Sequence, residues 1–501
     1  MKHTFSTLPL SNSFASLGEN FYSRVQPTPF ETQPVLIHYN QHAAELLDLN
    51  PALHLETHHS ITIAEILSGK QALPDADPIS MLYAGHQFGH LVPQLGDGRA
   101  IMLGETTNHK GEKWEIQLKG SGLTPYSRDG DGRAVLRSTI REYLCSEAIH
   151  ALGIPTTRTL CIVGSDDEVY RERIEPGAML TRLAPSHVRF GNFEVFYYRN
   201  QFDPIHTLAD FVIQHHYPEL WNETDRYALW LETVVERTAL LIAQWQAVGF
   251  CHGVMNSDNM SVLGLTIDYG PYGFMEAYDP GYICNHSDHH GRYAYDQQPN
   301  IGLFNLSCFA QAILPILSNE PEKAVEIAKS KLEQYQQRYI HHYASRMRDK
   351  LGLVKAMPED ETLVKDLLAL MAEDKVDFTI LFRQLCDFST IDNKKNSAVR
   401  DLFLQREAFD SWAQRYKLRL KKQAITDTQR SEHMKQVNPK YILRNYMAEV
   451  AIRKAEDEKD YSEIDRLLSL LQAPFDEQLE NEHYAGFPPD WATNIAVSCS
   501  S

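Results

Sequence analysis

Lys119, Glu142, Asn259 and Asp268 are the residues of this 501-residue chain whose types and order suit a nucleotide and a metal ion. Lys119 closes KWEIQLKG, where Trp114, Ile116 and Leu118 share one face of a strand and Glu115, Gln117 and Lys119 the other. Glu142 follows 23 residues later in STIREYL, which reads as helix, so its carboxylate can hold the lysine. Before them stands Gly96-Asp97-Gly98-Arg99, a glycine-rich hairpin whose backbone N–H groups can approach phosphates because no side chain intervenes. Asn259 is followed nine residues on by Asp268-Tyr269-Gly270, giving a carboxamide and a carboxylate oxygen, hard ligands for Mg²⁺ or Mn²⁺. Each part alone has a plainer reading as a solvated lysine, a hairpin turn or loop residues; their order together favours a site.

That order is the protein-kinase order of glycine-rich turn, strand lysine, helix glutamate and metal-binding asparagine and aspartate. The kinase catalytic pattern H-R-D-L-x-x-x-N lies over His252, Gly253, Val254, Met255, Asn256, Ser257, Asp258 and Asn259. Valine stands where a kinase places its proton acceptor, and Asp258 is the nearby carboxylate able to replace it. Two readings follow: a kinase-type phosphotransferase with Asp258 as base, and a nucleotide-binding pseudokinase scaffold. Retention of both Asn259 and Asp268 argues against the scaffold, which needs neither.

The elements that must position these residues form an α+β, bilobal, protein-kinase-like fold: a small β-rich lobe and a large helical lobe. Residues 1–80 read as an extension packing on the lobes and 81–183 as the small lobe. Residues 184–320 read as the large lobe with its catalytic and metal-binding loops, 321–490 as its helical completion, and 491–501 as a flexible tail. In the small lobe TLCIVG and AMLTRLA read as strands separated by a turn-rich SDDE. Residues 225–249 predict a long helix ending at Gly249, and Leu332, Tyr335, Tyr339, Tyr343 and Met347 form one helical stripe facing a core.

Charge and cysteine usage exclude several classes. A net charge of −18 disfavours a nucleic-acid groove. Seven scattered cysteines without a CxxC pair fit a reducing compartment, and no signal or membrane-spanning segment is read, so a cytoplasmic protein is expected. His86 with His90, and His286, His289 and His290 beyond Cys284, lack the HExxH pattern and read as hydrogen-bonding or packing histidines, not a zinc site. Cys499, third from the end in NIAVSCSS, lies on a tail able to reach Cys284, predicting a reversible regulatory disulfide.

Residues 83–105, 117–160, 252–274 and 284–299 resemble the selenoprotein O family, the YdiU proteins of bacteria, from near residue 8 to the C-terminus. The resemblance implies a kinase-like fold in which ATP binds reversed, with transfer of AMP to protein Ser, Thr or Tyr hydroxyls, self-modification included, and release of pyrophosphate; UMP from UTP is a second implied donor. It implies that Gly96, Gly98 and Arg99 form the nucleotide hairpin, that Lys119 binds phosphate with Glu142 as ion-pair partner, and that Asp131 and Gly132 make a second nucleotide contact. Arg182 and Arg189 resemble the family's arginine clamp, Asp258 its proton acceptor, and Asn259 and Asp268 its metal ligands. Cys499 stands where eukaryotic relatives carry selenocysteine. Reversal accounts for the clamp: inward β- and γ-phosphates need the cations that Lys119, Arg182 and Arg189 supply.

Overall fold

The computed structural model describes residues 3–391 and 396–498. Its small lobe is an antiparallel sheet of nine strands: β1 (Tyr22–Arg24), β2 (Val35–Tyr39), β3 (Ile79–Gln87), β4 (His90–Gly96), β5 (Ala100–Thr107), β6 (Lys113–Lys119), β7 (Ala134–Val135), β8 (Arg158–Tyr170) and β9 (Ile174–Ala184). The main path runs β1-β3-β5-β6-β9-β8-β2, with β4 beside β3 and β7 beside β9. Both edge strands therefore come from the first 80 residues, which also supply helices α1 (Gln41–Glu45) and α2 (Thr57–Leu67). These edges, three and five residues long, are too short to show alternation in the sequence.

The alternation of β6 explains the lobe. Ile116 and Leu118 pack with Ile101, Leu103 and Met179 against Leu47, Leu49, Ile63 and Leu67 of the N-terminal segment. The opposite face is buried too, so Glu115, Gln117 and Lys119 line the interior instead of facing solvent. Above that face lies α3 (Leu136–Ala151), which carries Glu142. It is covered in turn by the helices Asn445–Asp457 and Ser462–Gln472, whose Ala448, Ile452, Leu467 and Leu471 join the central core. The C-terminal helices thus complete the packing around α3.

Two local expectations change. The strands on either side of Gly96-Asp97-Gly98 do not pair with one another: β4 returns along β3, turned by Phe88 (φ 49°) and Gly89 (φ 83°), and β5 pairs with β6. The buried Asp97 sets this arrangement, because its Oδ2 accepts the Met81 N–H at 3.1 Å and its carbonyl accepts the Ser80 hydroxyl at 2.9 Å. Likewise SDDE is no turn. It lies inside β8, where the pairing with β9 shifts register between Gly164 and Glu168, and the reversal comes at 171–173.

The helical lobe is built on α4 (Gly191–Tyr198), α5 (Phe202–His216), α6 (Arg226–Ala247) and α7 (Gln298–Ala312). Helix α6 ends beside Gly249, which has the left-handed φ of 71° that favours glycine after a helix. The short ribbon of β10 (Phe250–Cys251) and β11 (Gly273–Phe274) then pinches off the loop 252–272. Tyr335, Tyr339 and Tyr343 stack along the helix Gln334–Lys350, with centroids 6.4 and 5.9 Å apart, while Leu332 belongs to the preceding helix. No helix of the described residues is long and apolar enough to cross a membrane.

Candidate active site

Antiparallel pairing of β6 with β9 sets Gln117 opposite Arg182, so both side chains emerge on the inner face. Arg182 donates from Nη1 to Gln117 Oε1 at 3.2 Å and from Nε to Glu142, whose second oxygen accepts Lys119 Nζ. Burial opposes the charge on Glu142, but Arg182 and Lys119 outweigh it and hold the carboxyl below its usual range. Burial draws the Lys119 pKa down to about 8; Glu142 supports the cation while Arg182 and Arg99 repel it. A buried lysine sharing one carboxylate with an arginine is therefore only partly compensated.

The loop between β10 and β11 brings its residues to the same place. His252 braces the loop through Nε2 against the Ile267 carbonyl at 2.9 Å. Asp268 adopts a left-handed backbone (φ 57°), and its carboxylate lies between two arginines: Oδ1 accepts Arg182 Nη2 at 2.9 Å and Oδ2 accepts Arg189 Nη1. Burial would raise the Asp268 pKa, yet Arg189, Arg182 and Lys119 hold it far below the carboxylate range. Arg189 also donates to the Asp258 carbonyl at 3.0 Å and lies 4.9 Å over the Tyr83 ring. Asn259 donates its amide to the Val254 carbonyl at 3.0 Å.

Asp258, 6 % exposed, is the exception to this charge pairing. Its Oδ2 accepts Gln87 Nε2 at 3.2 Å and its Oδ1 has no hydrogen-bond partner. Burial raises its pKa to about 6, against the opposing effects of Gln87 and Arg189. The β3–β4 tip is fastened over it: the His86 N–H donates to Ser257 Oγ at 2.7 Å and the Phe88 N–H to the Tyr293 hydroxyl at 2.8 Å. Gly85 lies directly against the Asp258 carboxylate, and a Cβ there would overlap it.

Lys119, Glu142, Arg182, Arg189 and Asp268 thus form one ion-paired network, with Asp258 and Asn259 on the adjoining turn. Arg99 adjoins this network, its carbonyl accepting the Gly120 N–H at 2.7 Å just past Lys119, while Gly96 and Gly98 pack against Tyr126. Asp131 is exposed and paired with Arg171 at 2.6 Å, and Gly132 packs on Gly122, so neither touches the five-residue network through a hydrogen bond. Cys284 is buried, and burial pushes its thiol pKa well up. Cys499 lies outside the described residues; the tail before it reaches the same region, where the Val497 carbonyl accepts the His286 N–H at 2.9 Å. Sequence reasoning missed Gln87 and Gly85, for which the sole signal is their place in the block YAGHQFGH.

The sequence model of a family described as Protein adenylyltransferase SelO matches residues 4–472. A protein named nucleotidyltransferase YdiU from Thiobacillus denitrificans is 56% identical over 99% of this chain and 100% of its own length. Proteins of that name from Thioalkalivibrio sulfidiphilus and Myxococcus xanthus are 54% and 52% identical, covering 100% and 99% of this chain and all of their own lengths.

Proposed function

This chain belongs to the protein adenylyltransferase SelO family and is a nucleotidyltransferase, and on that premise we propose that it transfers AMP from ATP to protein hydroxyls with release of pyrophosphate. UTP as a donor of UMP is the second nucleotide this reading admits. The observation that carries it is the convergence of three buried cations, Lys119, Arg182 and Arg189, on two carboxylates beside Asp258. A nucleotide whose terminal phosphate pointed outward would have little use for so many inward cations. One bound with its β- and γ-phosphates inward would keep all three paired, phosphate oxygens replacing Asp268 on the two arginine forks.

Asn259 and Asp268 fit a divalent cation, Mg²⁺ or Mn²⁺: one presents a carboxamide oxygen, the other a carboxylate that stays ionised, and both are hard donors. Bound there, the ion would neutralise phosphate charge and stabilise departing pyrophosphate. The protein residues do the rest. Lys119, set by Glu142, and the two arginines hold the inner phosphates. Gly96, Gly98 and Arg99, with Asp131 and Gly132, are proposed to contact the nucleotide from the small lobe.

Asp258 is proposed as the base. A pKa of about 6 leaves it ionised at neutral pH yet basic enough to accept a proton as the hydroxyl oxygen attacks the α-phosphorus. Its unpartnered Oδ1 is the atom for that proton. The intact mass of the protein and of acceptor proteins after incubation with Mg²⁺ or Mn²⁺ and ATP tests the proposal. An adenylyl increment is expected; a phosphoryl increment would replace this reading with the kinase one.

A further inference from the structure

We propose that His86, Glu194 and Cys308 form a buried zinc site, distinct from the nucleotide site, that pins the β3–β4 hairpin to the helical lobe. The three residues come from β3, α4 and α7, and no motif in the sequence links them. Their ligand atoms nevertheless all lie within 4.8 Å of one another. His86 Nδ1 is 2.6 Å from Glu194 Oε2. The Glu194 side chain is 0 % exposed, and its other oxygen, Oε1, has no hydrogen-bond partner. Cys308 is buried as well, and the His86 ring lies edge-on to Phe304 and Tyr198, each with centroids 5.8 Å away.

A fully buried carboxylate with an idle oxygen is costly unless a cation meets it. Imidazole nitrogen, carboxylate oxygen and thiolate sulfur are together a zinc donor set, since sulfur disfavours Mg²⁺ and Mn²⁺. Zinc bonds of about 2.0–2.3 Å set tetrahedral ligand contacts near about 3.5 Å. The His86–Glu194 pair would open slightly and Cys308 Sγ would move inward, with water as fourth ligand. Binding involves no redox change: Cys308 gives its proton to solvent, His86 coordinates as neutral imidazole and Glu194 as carboxylate. The site bears on catalysis through position alone, because the His86 N–H holds Ser257 Oγ at 2.7 Å and the next residue, Gln87, holds Asp258.

The test is the zinc content of the full-length protein, purified from zinc-supplemented culture and gel-filtered without chelator. About one zinc per chain is expected. Loss of a direct ligand in Cys308→Ala or Glu194→Gln should lower that content about tenfold or more, whereas Asp268→Asn should leave it unchanged. X-ray absorption at the zinc edge of the unsubstituted protein, which depends on no variant folding, should show one sulfur with nitrogen and oxygen neighbours. Zinc far below one per chain, a shell without sulfur, or full zinc content in folded Cys308→Ala would each overturn the proposal.

Discussion

Gln87 donates from Nε2 to Oδ2 of Asp258 at 3.2 Å, so the proposed base is held by the tip of a hairpin from the other lobe. That hydrogen bond favours the ionised carboxylate and opposes the burial that raises its pKa to about 6. Replacing Gln87 with leucine removes the donor, so the Asp258 pKa must rise further. The acid limb of the pH profile of kcat/KM should move to higher pH by about one unit. Activity would fall most near pH 6 and recover toward pH 8; an unmoved limb would detach Gln87 from the base.

Asp258→Asn should abolish transfer while stabilising the fold. A carboxyl whose folded pKa is raised from 3.8 to about 6 binds protons more tightly folded than unfolded. Its contribution therefore destabilises progressively as pH rises through that window and fully above it. The neutral isostere removes that cost, about 2–3 kcal/mol at neutral pH. Thermal melts at pH 7.5 should show the variant above the parent, and the gap should close as pH falls below about 4. Equal melting temperatures at both pH values would contradict the burial argument.

Glu142→Gln should have the opposite effect on stability. Glu142 is 1% exposed and compensates both Lys119 and Arg182, so its loss leaves two buried cations short of a partner. A cost of about 3–5 kcal/mol is expected in denaturant titrations. Glu142 also supports the charge on Lys119, so the lysine pKa should drop below its present value of about 8. Nucleotide affinity, measured by calorimetry, should then weaken most between the lowered lysine pKa and about 8, where the parent's lysine is still largely charged and the variant's is not. A variant as stable as the parent would show the pair to be energetically idle.

Mild oxidation should join Cys284 to Cys499, the two thiols losing two protons and two electrons to an added disulfide or peroxide. The Val497–His286 backbone hydrogen bond, two residues from each cysteine, brings the chain close. Peptide mapping under non-reducing conditions should recover the pair, and Cys284→Ser should abolish it. Recovery of both cysteines as free thiols after oxidant treatment would remove the redox proposal.

The chemistry was more legible than the scaffold that holds it. Lys119 and Glu142 can be read because a clean strand alternation precedes a helix in the kinase order, although alternation alone would have left the Lys119 face in solvent and both faces of the strand are buried. Asn259 and Asp268 can be read because a short loop keeps their spacing. Arg182 and Arg189 have no local signal; their convergence depends on the pairing of β6 with β9 and on the position of Asp268, and it entered only through family resemblance. Gln87 was missed for a related reason. Its partner lies 171 residues away, and the hairpin that carries it is turned by Phe88 and Gly89, not by the glycines at 96 and 98. Short edge strands such as β1 leave no periodic trace, so the contribution of the N-terminal segment to the sheet emerges only in three dimensions.

The nucleotide is expected to lie with its terminal phosphates among Lys119, Arg182 and Arg189, leaving the α-phosphorus to meet the acceptor hydroxyl beside Asp258. Parallel reactions with ATP labelled at the α- or the γ-phosphate test it most directly, using this protein, Mg²⁺ or Mn²⁺, and a mixture of acceptor proteins. Protein-bound label is expected from the α-position alone, with an equal amount of pyrophosphate, and neither is expected from Asp258→Ala that still binds ATP. Protein-bound label from the γ-position would contradict it.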